Sequence, residues 1–251
     1  MKKKRSATGG EMPFTVHLGE LRGRLIRSIV AMGVAFCICY TFSERLLYFL
    51  WLPAGRELVF IAPTEAFFAH LKVSFLASLV LVWPYLCYQA WAFVVPGLYD
   101  KERRYMVPFV VSATFMFLLG CGFVYTLILP YGMAFLLGYG SASLVPMISV
   151  GAYISFAVRL LIAFGAIFEL PVVMVLLAKL GLVTPQMLSR NRKYVIVLSF
   201  LVAAILTPPD VFTQVLMAVP LLILYEISIL LTRWTAPKEV LEMEDDAAAA
   251  G

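Results

Sequence analysis

Two stretches of this chain carry no charge at all, residues 73–99 and residues 105–158. Uncharged apolar runs of about 18 residues or more read as membrane spans. Inside a bilayer every backbone N–H and C=O must be satisfied by the chain itself, so only helices and closed barrels cross. No stretch here alternates apolar and polar residues at period two for long, which argues against a barrel. Overall composition agrees: 62% of residues are hydrophobic and 14% charged, against about half and a quarter in soluble domains. The fold class is therefore an all-α integral membrane protein.

Breakers and charges divide the chain into six spans. The first covers about residues 25–42, and its helix starts earlier, within HLGELRGRL (17–25), where only two tolerable glycines interrupt. Residues 43–65, with Pro53, Gly55 and Pro63, read as a loop. Span two covers 66–95 and holds Pro84, which should bend it. Span three covers 105–130 and ends at Pro130; residues 131–152, rich in Gly and Ser, read as a second loop. Span four covers 153–180. Thr184-Pro185 then has the pattern of a helix cap followed by proline at the first helical position. Span five covers 194–207, stopped by Pro208-Pro209, and span six covers 211–232 with Asp210 placed to cap it. Spans five and six read as short: the 14 residues of span five, 194–207, make about 21 Å of helix against a hydrocarbon core of about 30 Å. Either a tightly packed helix pair or a locally thinned bilayer would relieve that mismatch. The expected organisation is a basic tail (1–14), a six-span membrane domain (15–233) and an acidic, alanine-rich disordered tail (234–251).

Six spans put both termini on one side, and the cations choose the side. One set of segments holds Lys2, Lys3, Lys4, Arg5, Arg22, Arg24, Arg27, Lys101, Arg103, Arg104, Lys179, Arg190, Arg192, Lys193, Arg233 and Lys238. The opposite loops hold only Arg45 and Arg56. By the positive-inside rule both termini are cytoplasmic. The net charge of +5 lies in short loops beside apolar runs, not on a basic face, so nucleic acid is not an expected partner. The start of the chain imitates a secretory signal, but the charged block 17–27 intervenes and no A-x-A site follows the apolar stretch, so the first span should be retained. Cys37, Cys39, Cys87 and Cys121 all lie in apolar runs without a C-x-x-C pattern and read as packing residues.

Few residues are left to carry chemistry. Glu102 sits in a short charged turn, Pro96 to Arg104, held at the membrane surface by the spans on either side. Glu20, Arg22 and Arg24 belong to the same side, and Glu20 and Arg24 are spaced to pair along one helix face. Two readings stand: charges that anchor span ends, or a patch offering carboxylates to guanidinium groups through charge-assisted bonds. Glu169 falls near the middle of span four, where a carboxylate marks a function or a buried hydrogen-bond partner. Arg159 is ten residues earlier, about 15 Å along a helix, too far to pair with it. Arg159 and Lys72 are expected to snorkel to the outer interface. Asp210 and Gln214 give span six a polar stripe at its outer end, and Glu226 is expected at the inner interface. His17 and His70 are isolated. There is no G-x-x-x-x-G-K-[ST], no H-E-x-x-H and no G-x-S-x-G. The expectation is a protein without catalytic residues, metal or cofactor.

Five segments carry a resemblance. HLGELRGRL (17–25), APTEAF (62–67), YQAWAFVVPGLYDKERR (88–104), FGAIFELPVV (164–173) and LTPPDVFTQ (206–214) occur in this order on six expected spans. The chain resembles TatC, the polytopic receptor subunit of the twin-arginine protein translocase, from about residue 15 to 233. The resemblance implies recognition of Arg-Arg signal peptides on folded precursor proteins, in the bacterial cytoplasmic (inner) membrane. It further implies assembly with TatA-like and TatB-like single-span proteins and with further copies of the chain, and transport driven by the proton-motive force. Glu20, Arg22, Arg24, Phe93 and Glu102 match the family's signal-peptide patch. Pro53, Glu169, Asp210 and Gln214 match positions linked to assembly with partner subunits. Arg159 matches no family role. Two other classes remain beside it: a secondary transporter for a small solute, built around midplane groups such as Glu169, and a purely structural scaffold. The transporter reading predicts internal repeats, and the halves show no clear self-similarity.

Overall fold

A computed structural model describes residues 14–55, 57–94, 106–138, 147–207 and 210–235, with the side chains of 14–17 and 94 excepted. Helix α1 (Phe14–Thr41) runs without a break through the HLGELRGRL block. A Cβ on Gly19 or Gly23 would meet nothing within 4 Å, so neither glycine serves close packing there.

The expected loop 43–65 is instead largely folded. Helix α2 (Ser43–Trp51) is followed by a single 3-10 turn, Leu52–Ala54, and by strand β1 (Leu58–Val59). The apolar residues Leu46, Leu47 and Leu50 recur at helical spacing and pack into the main core, which a loop would leave exposed. Pro53 sits in the first turn of the 3-10 segment, where a missing N–H costs nothing. Gly55 closes that segment at φ 65°, a left-handed position that glycine tolerates.

Helix α3 (Pro63–Val94) is the second span and accommodates Pro84 in its interior. The third span does not end at Pro130. Helix α4 (Met106–Phe123) passes through one π turn, Val124–Ile128, into α5 (Leu129–Leu137). The Leu129 N–H bonds to the carbonyl of Val124, five residues back. That wider turn removes the clash that the Pro130 ring would make with the carbonyl four residues before it. Residues 131–137, expected as loop, are therefore helix.

Strand β2 (Ile148–Ser149) pairs in parallel with β1, Leu58 opposite Ile148 and Val59 opposite Ser149. The fourth span is two helices, α6 (Val150–Phe168) and α7 (Leu170–Lys179), which meet at Glu169. Pro171 has no N–H to continue the ladder, and the helix restarts around it. Helix α8 (Pro185–Arg190) is capped by Thr184, whose Oγ1 accepts from the Met187 N–H at 3.2 Å, as its sequence suggests.

Helix α9 (Arg192–Leu206) has 15 residues, and α10 (Val211–Thr235) has 25. The fifth span is short as expected. The sixth, expected to be short too, reaches Thr235 and accommodates Pro220 in its interior. Five helical units among the described residues are long and apolar enough to cross a membrane: α1, α3, α4 with α5, α6 with α7, and α10.

The core lies around α6. Ile154, Ala157, Leu160 and Phe164 of α6 are fully buried, with Phe117, Val124 and Ile128 of the third span and Ala203, Met217 and Ala218 of α9 and α10. Where α4 crosses α6 each helix offers a glycine. A Cβ on Gly120 would lie 2.6 Å from the Phe164 carbonyl, and one on Gly165 would lie 2.5 Å from the Phe117 ring. Lipid provides no hydrophobic drive to join helices, so this backbone approach and its van der Waals contact hold the pair.

Candidate functional site

The first constellation forms where α1 begins and α3 ends. Glu20 Oε1 accepts from Arg24 Nε at 3.1 Å and from Arg24 Nη2 at 2.5 Å, the pair expected from the four-residue spacing. Arg24 Nη1 also donates to Gln89 Oε1 at 3.2 Å, and Gln89 Nε2 donates to the Tyr85 hydroxyl at 2.6 Å. Gln89 is buried, so this relay ties α1 to the last turns of α3 through a polar contact inside apolar surroundings. Phe93 follows one turn after Gln89. Arg22 is exposed and, two residues from Glu20 on a helix, faces another direction. Trp91 of α3 stacks on Phe109 of α4 with centroids 4.6 Å apart, so the two helix ends that flank residues 95–105 lie together. Glu102 lies outside the described residues.

The second constellation centres on Glu169. Its carboxylate stands at the junction of α6 and α7, not inside a continuous helix, and is partly buried. Trp83 Nε1 of α3 donates to Glu169 Oε1 at 2.9 Å. The Trp83 ring stacks on Phe117 at 3.8 Å, and Phe117 is packed against Gly165. A rigid stack from α3 through α4 to α6 thus fixes the donor that holds the carboxylate. Arg159 makes no ion pair with it; Arg159 Nε donates to the Ser155 carbonyl at 3.1 Å.

Asp210 caps α10, as its position suggested. One carboxylate oxygen accepts the Thr213 N–H at 2.7 Å, and the other accepts the Thr213 hydroxyl. Gln214 Nε2 donates to the Phe200 carbonyl at 3.1 Å, which ties α10 to α9. Asp210 and Gln214 thus share one helix start. No hydrogen bond or ion pair among the described residues joins Pro53 or Glu169 to them. Lys72 Nζ donates to Ser155 Oγ at 2.7 Å. Glu226 pairs with Arg192 at 2.8 Å, both side chains about half exposed. No group of three or more His, Cys, Asp or Glu among the described residues is arranged to hold a metal.

Sequence reasoning did not single out Trp83, Tyr85 or Gln89. The signal was present for Gln89, the one amide within the uncharged run 73–99. A polar group at such a position needs a partner.

Residues 16–220 match the sequence profile of the family described as Sec-independent protein translocase protein (TatC). The chain belongs to the TatC family. The TatC of Desulforapulum autotrophicum is 47% identical over 241 residues, covering 94% of this chain and 89% of its own length. The TatC of Aquifex aeolicus is 42% identical over 235 residues, covering 91% of this chain and 98% of its own. The TatC of Escherichia coli is 38% identical over 233 residues, covering 90% of each. A crystal structure of a twin arginine translocase receptor, TatC, superimposes with a TM-score of 0.79 at 42% identity, over 87% of this chain and 99% of that one. A second, in DDM, gives 0.80. Membership of TatC makes this chain a multi-pass membrane component of Sec-independent protein translocation.

Proposed function

We propose that this protein is the signal-peptide receptor of a twin-arginine translocase in the bacterial inner membrane. Glu20 and Glu102 take the arginine pair of a folded precursor's signal peptide, and Arg22, Arg24 and Phe93 complete the patch. The observation that carries this reading is the hold of Glu20 on the Arg24 guanidinium through two donors on one oxygen. That carboxylate is already set to receive a planar fork, and Oε2 accepts from no described group. Arginine offers two such forks in an Arg-Arg pair, whereas lysine keeps the charge but loses the fork. Solved relatives described as twin arginine translocase receptors support the same reading.

Pro53, Glu169, Asp210 and Gln214 serve assembly with TatA-like and TatB-like single-span partners and with further copies of the chain. The proton-motive force then drives passage of the cargo. A photoreactive residue at position 93 tests both halves of this proposal. It should capture an Arg-Arg precursor and not its Lys-Lys variant. Glu169→Ala should leave that capture intact while lowering recovery of the single-span partners. Equal capture of both precursors would sink the receptor reading, and undiminished recovery would sink the assembly role.

A further inference from the structure

Lys72 and Arg159 converge on one residue within the apolar spans. Lys72 Nζ of α3 donates to Ser155 Oγ at 2.7 Å, and Arg159 Nε of α6 donates to the Ser155 carbonyl at 3.1 Å. Ser155 Oγ spends its own proton on the Gly151 carbonyl. Two like charges are therefore held on one residue, and neither has a carboxylate: the ion pairs among the described residues are Arg24–Glu20 and Arg192–Glu226. Glu65, the only acid of α3, precedes Lys72 by seven residues, about 10 Å along the axis. It is already held by the Ser149 hydroxyl at 2.8 Å and the Ile61 N–H at 3.2 Å. Glu169 lies about 15 Å beyond Arg159 along the fourth span.

An isolated charge in a membrane span is costly, and two uncompensated cations are costlier. The depth of this pair suggests what compensates it. Each cation is nine residues from the start of its helix, about 13 Å along the axis. With α3 centred on a hydrocarbon core of about 30 Å, the charges would lie a few ångström below its edge, within reach of a headgroup. Arg159 is exposed, and its Nη donors engage no described group. Phe68 and Phe75, one turn to either side of Lys72, are 51% and 46% exposed. A hydrated inorganic anion would gain nothing from those rings, whereas acyl chains would cover them. A zwitterionic headgroup would bring a third cation to the site.

We propose that Lys72 and Arg159 bind the phosphate of an anionic phospholipid whose acyl chains lie against Phe68 and Phe75. The experiment is native mass spectrometry of the full chain in neutral detergent, titrated with phosphatidylglycerol or with phosphatidylcholine of the same chains. A third titration adds inorganic phosphate as competitor. The parent should retain phosphatidylglycerol preferentially, and millimolar phosphate should not displace it. The Lys72→Gln, Arg159→Gln double variant should bind phosphatidylglycerol roughly 30-fold more weakly, at about fivefold per cation. Arg159→Lys should keep most of the preference, which separates loss of charge from loss of fold. Should the double variant not fold, Arg159→Gln alone, at an exposed position, should still weaken binding roughly fivefold. Equal retention of the two lipids, unchanged binding by the variants, or displacement by free phosphate would each overturn the site.

Discussion

A carboxylate that serves an incoming guanidinium has to be reachable and held still. Glu20 is both. Arg24 binds it through two donors, partial exposure keeps it reachable, and the Arg24–Gln89–Tyr85 relay holds the pair against α3. Removing one charge from a partly desolvated pair typically costs about 2–5 kcal/mol, because its partner is left unpaired. Glu20→Gln should therefore weaken binding of an Arg-Arg precursor to membranes by roughly 30-fold or more at matched protein levels. Glu20→Asp, with the charge but a shorter reach, should lose less. Both variants should insert normally, since the position is not in the packed core. Binding by Glu20→Gln at the parent's affinity would remove Glu20 from the site. The Glu20–Arg24 half of this arrangement is legible in the sequence because its partners are four residues apart. The Gln89 half is not, because its partner lies 65 residues away and nothing local announces that separation.

At the scale of helices, the α4–α6 crossing and the Glu169 junction form one mechanical unit. Gly165 lets Phe117 lie against α6, Phe117 stacks on Trp83, and Trp83 holds Glu169. In Gly165→Ala the new Cβ would meet the Phe117 ring at 2.5 Å. The ring cannot retreat without displacing the indole. Overpacking of this kind costs about 1–3 kcal/mol, and the Trp83–Glu169 bond should weaken with it. Unfolding in detergent should show a lower midpoint for Gly165→Ala. Gly122→Ala should be close to neutral, because a Cβ there meets nothing within 4 Å. Equal midpoints for Gly165→Ala and the parent would show that the crossing has slack. The prolines explain why the elements were only partly legible. Pro130 and Pro171 read as a helix end and as an interior residue. In the fold each lies in the first turn of a renewed helix, one after a π turn and one after the break at Glu169. Sequence shows that a proline interrupts the ladder but not whether the packing around it restores the helix. The folded segments 43–54 and 58–59 were hidden for a related reason, since α2 is too short to announce itself and is held by contacts with α3 and α6.

For the whole molecule, the membrane class was legible because uncharged runs have few other uses, and the match to solved TatC structures agrees with it. Orientation rests on a different kind of information, the distribution of cations along the chain. The α1 start and the α3 end share one end of the bundle through Arg24 and Gln89, and Trp91 with Phe109 brings the α4 start there too. That end carries Arg22, Arg24 and Arg27, with Lys101, Arg103 and Arg104 in the sequence between α3 and α4. Arg190, Arg192 and Lys193 lie two spans further on, and therefore on the same side. Basic residues beside spans resist transfer across the membrane, so this end should face the cytoplasm. A reporter active only outside the cytoplasm should be silent when fused at residue 100 or 190, and active at residue 55 or 142. The four fusions test more than a convention. A signal peptide reaches a receptor from the cytoplasm before transport, so under the proposed receptor role the Glu20 patch has a precursor to bind only if residue 100 is cytoplasmic. Reporter activity at residue 100 would invert the molecule, turn Glu20 away from the proposed ligand, and move the search for a recognition site to the end where α3 and α6 begin.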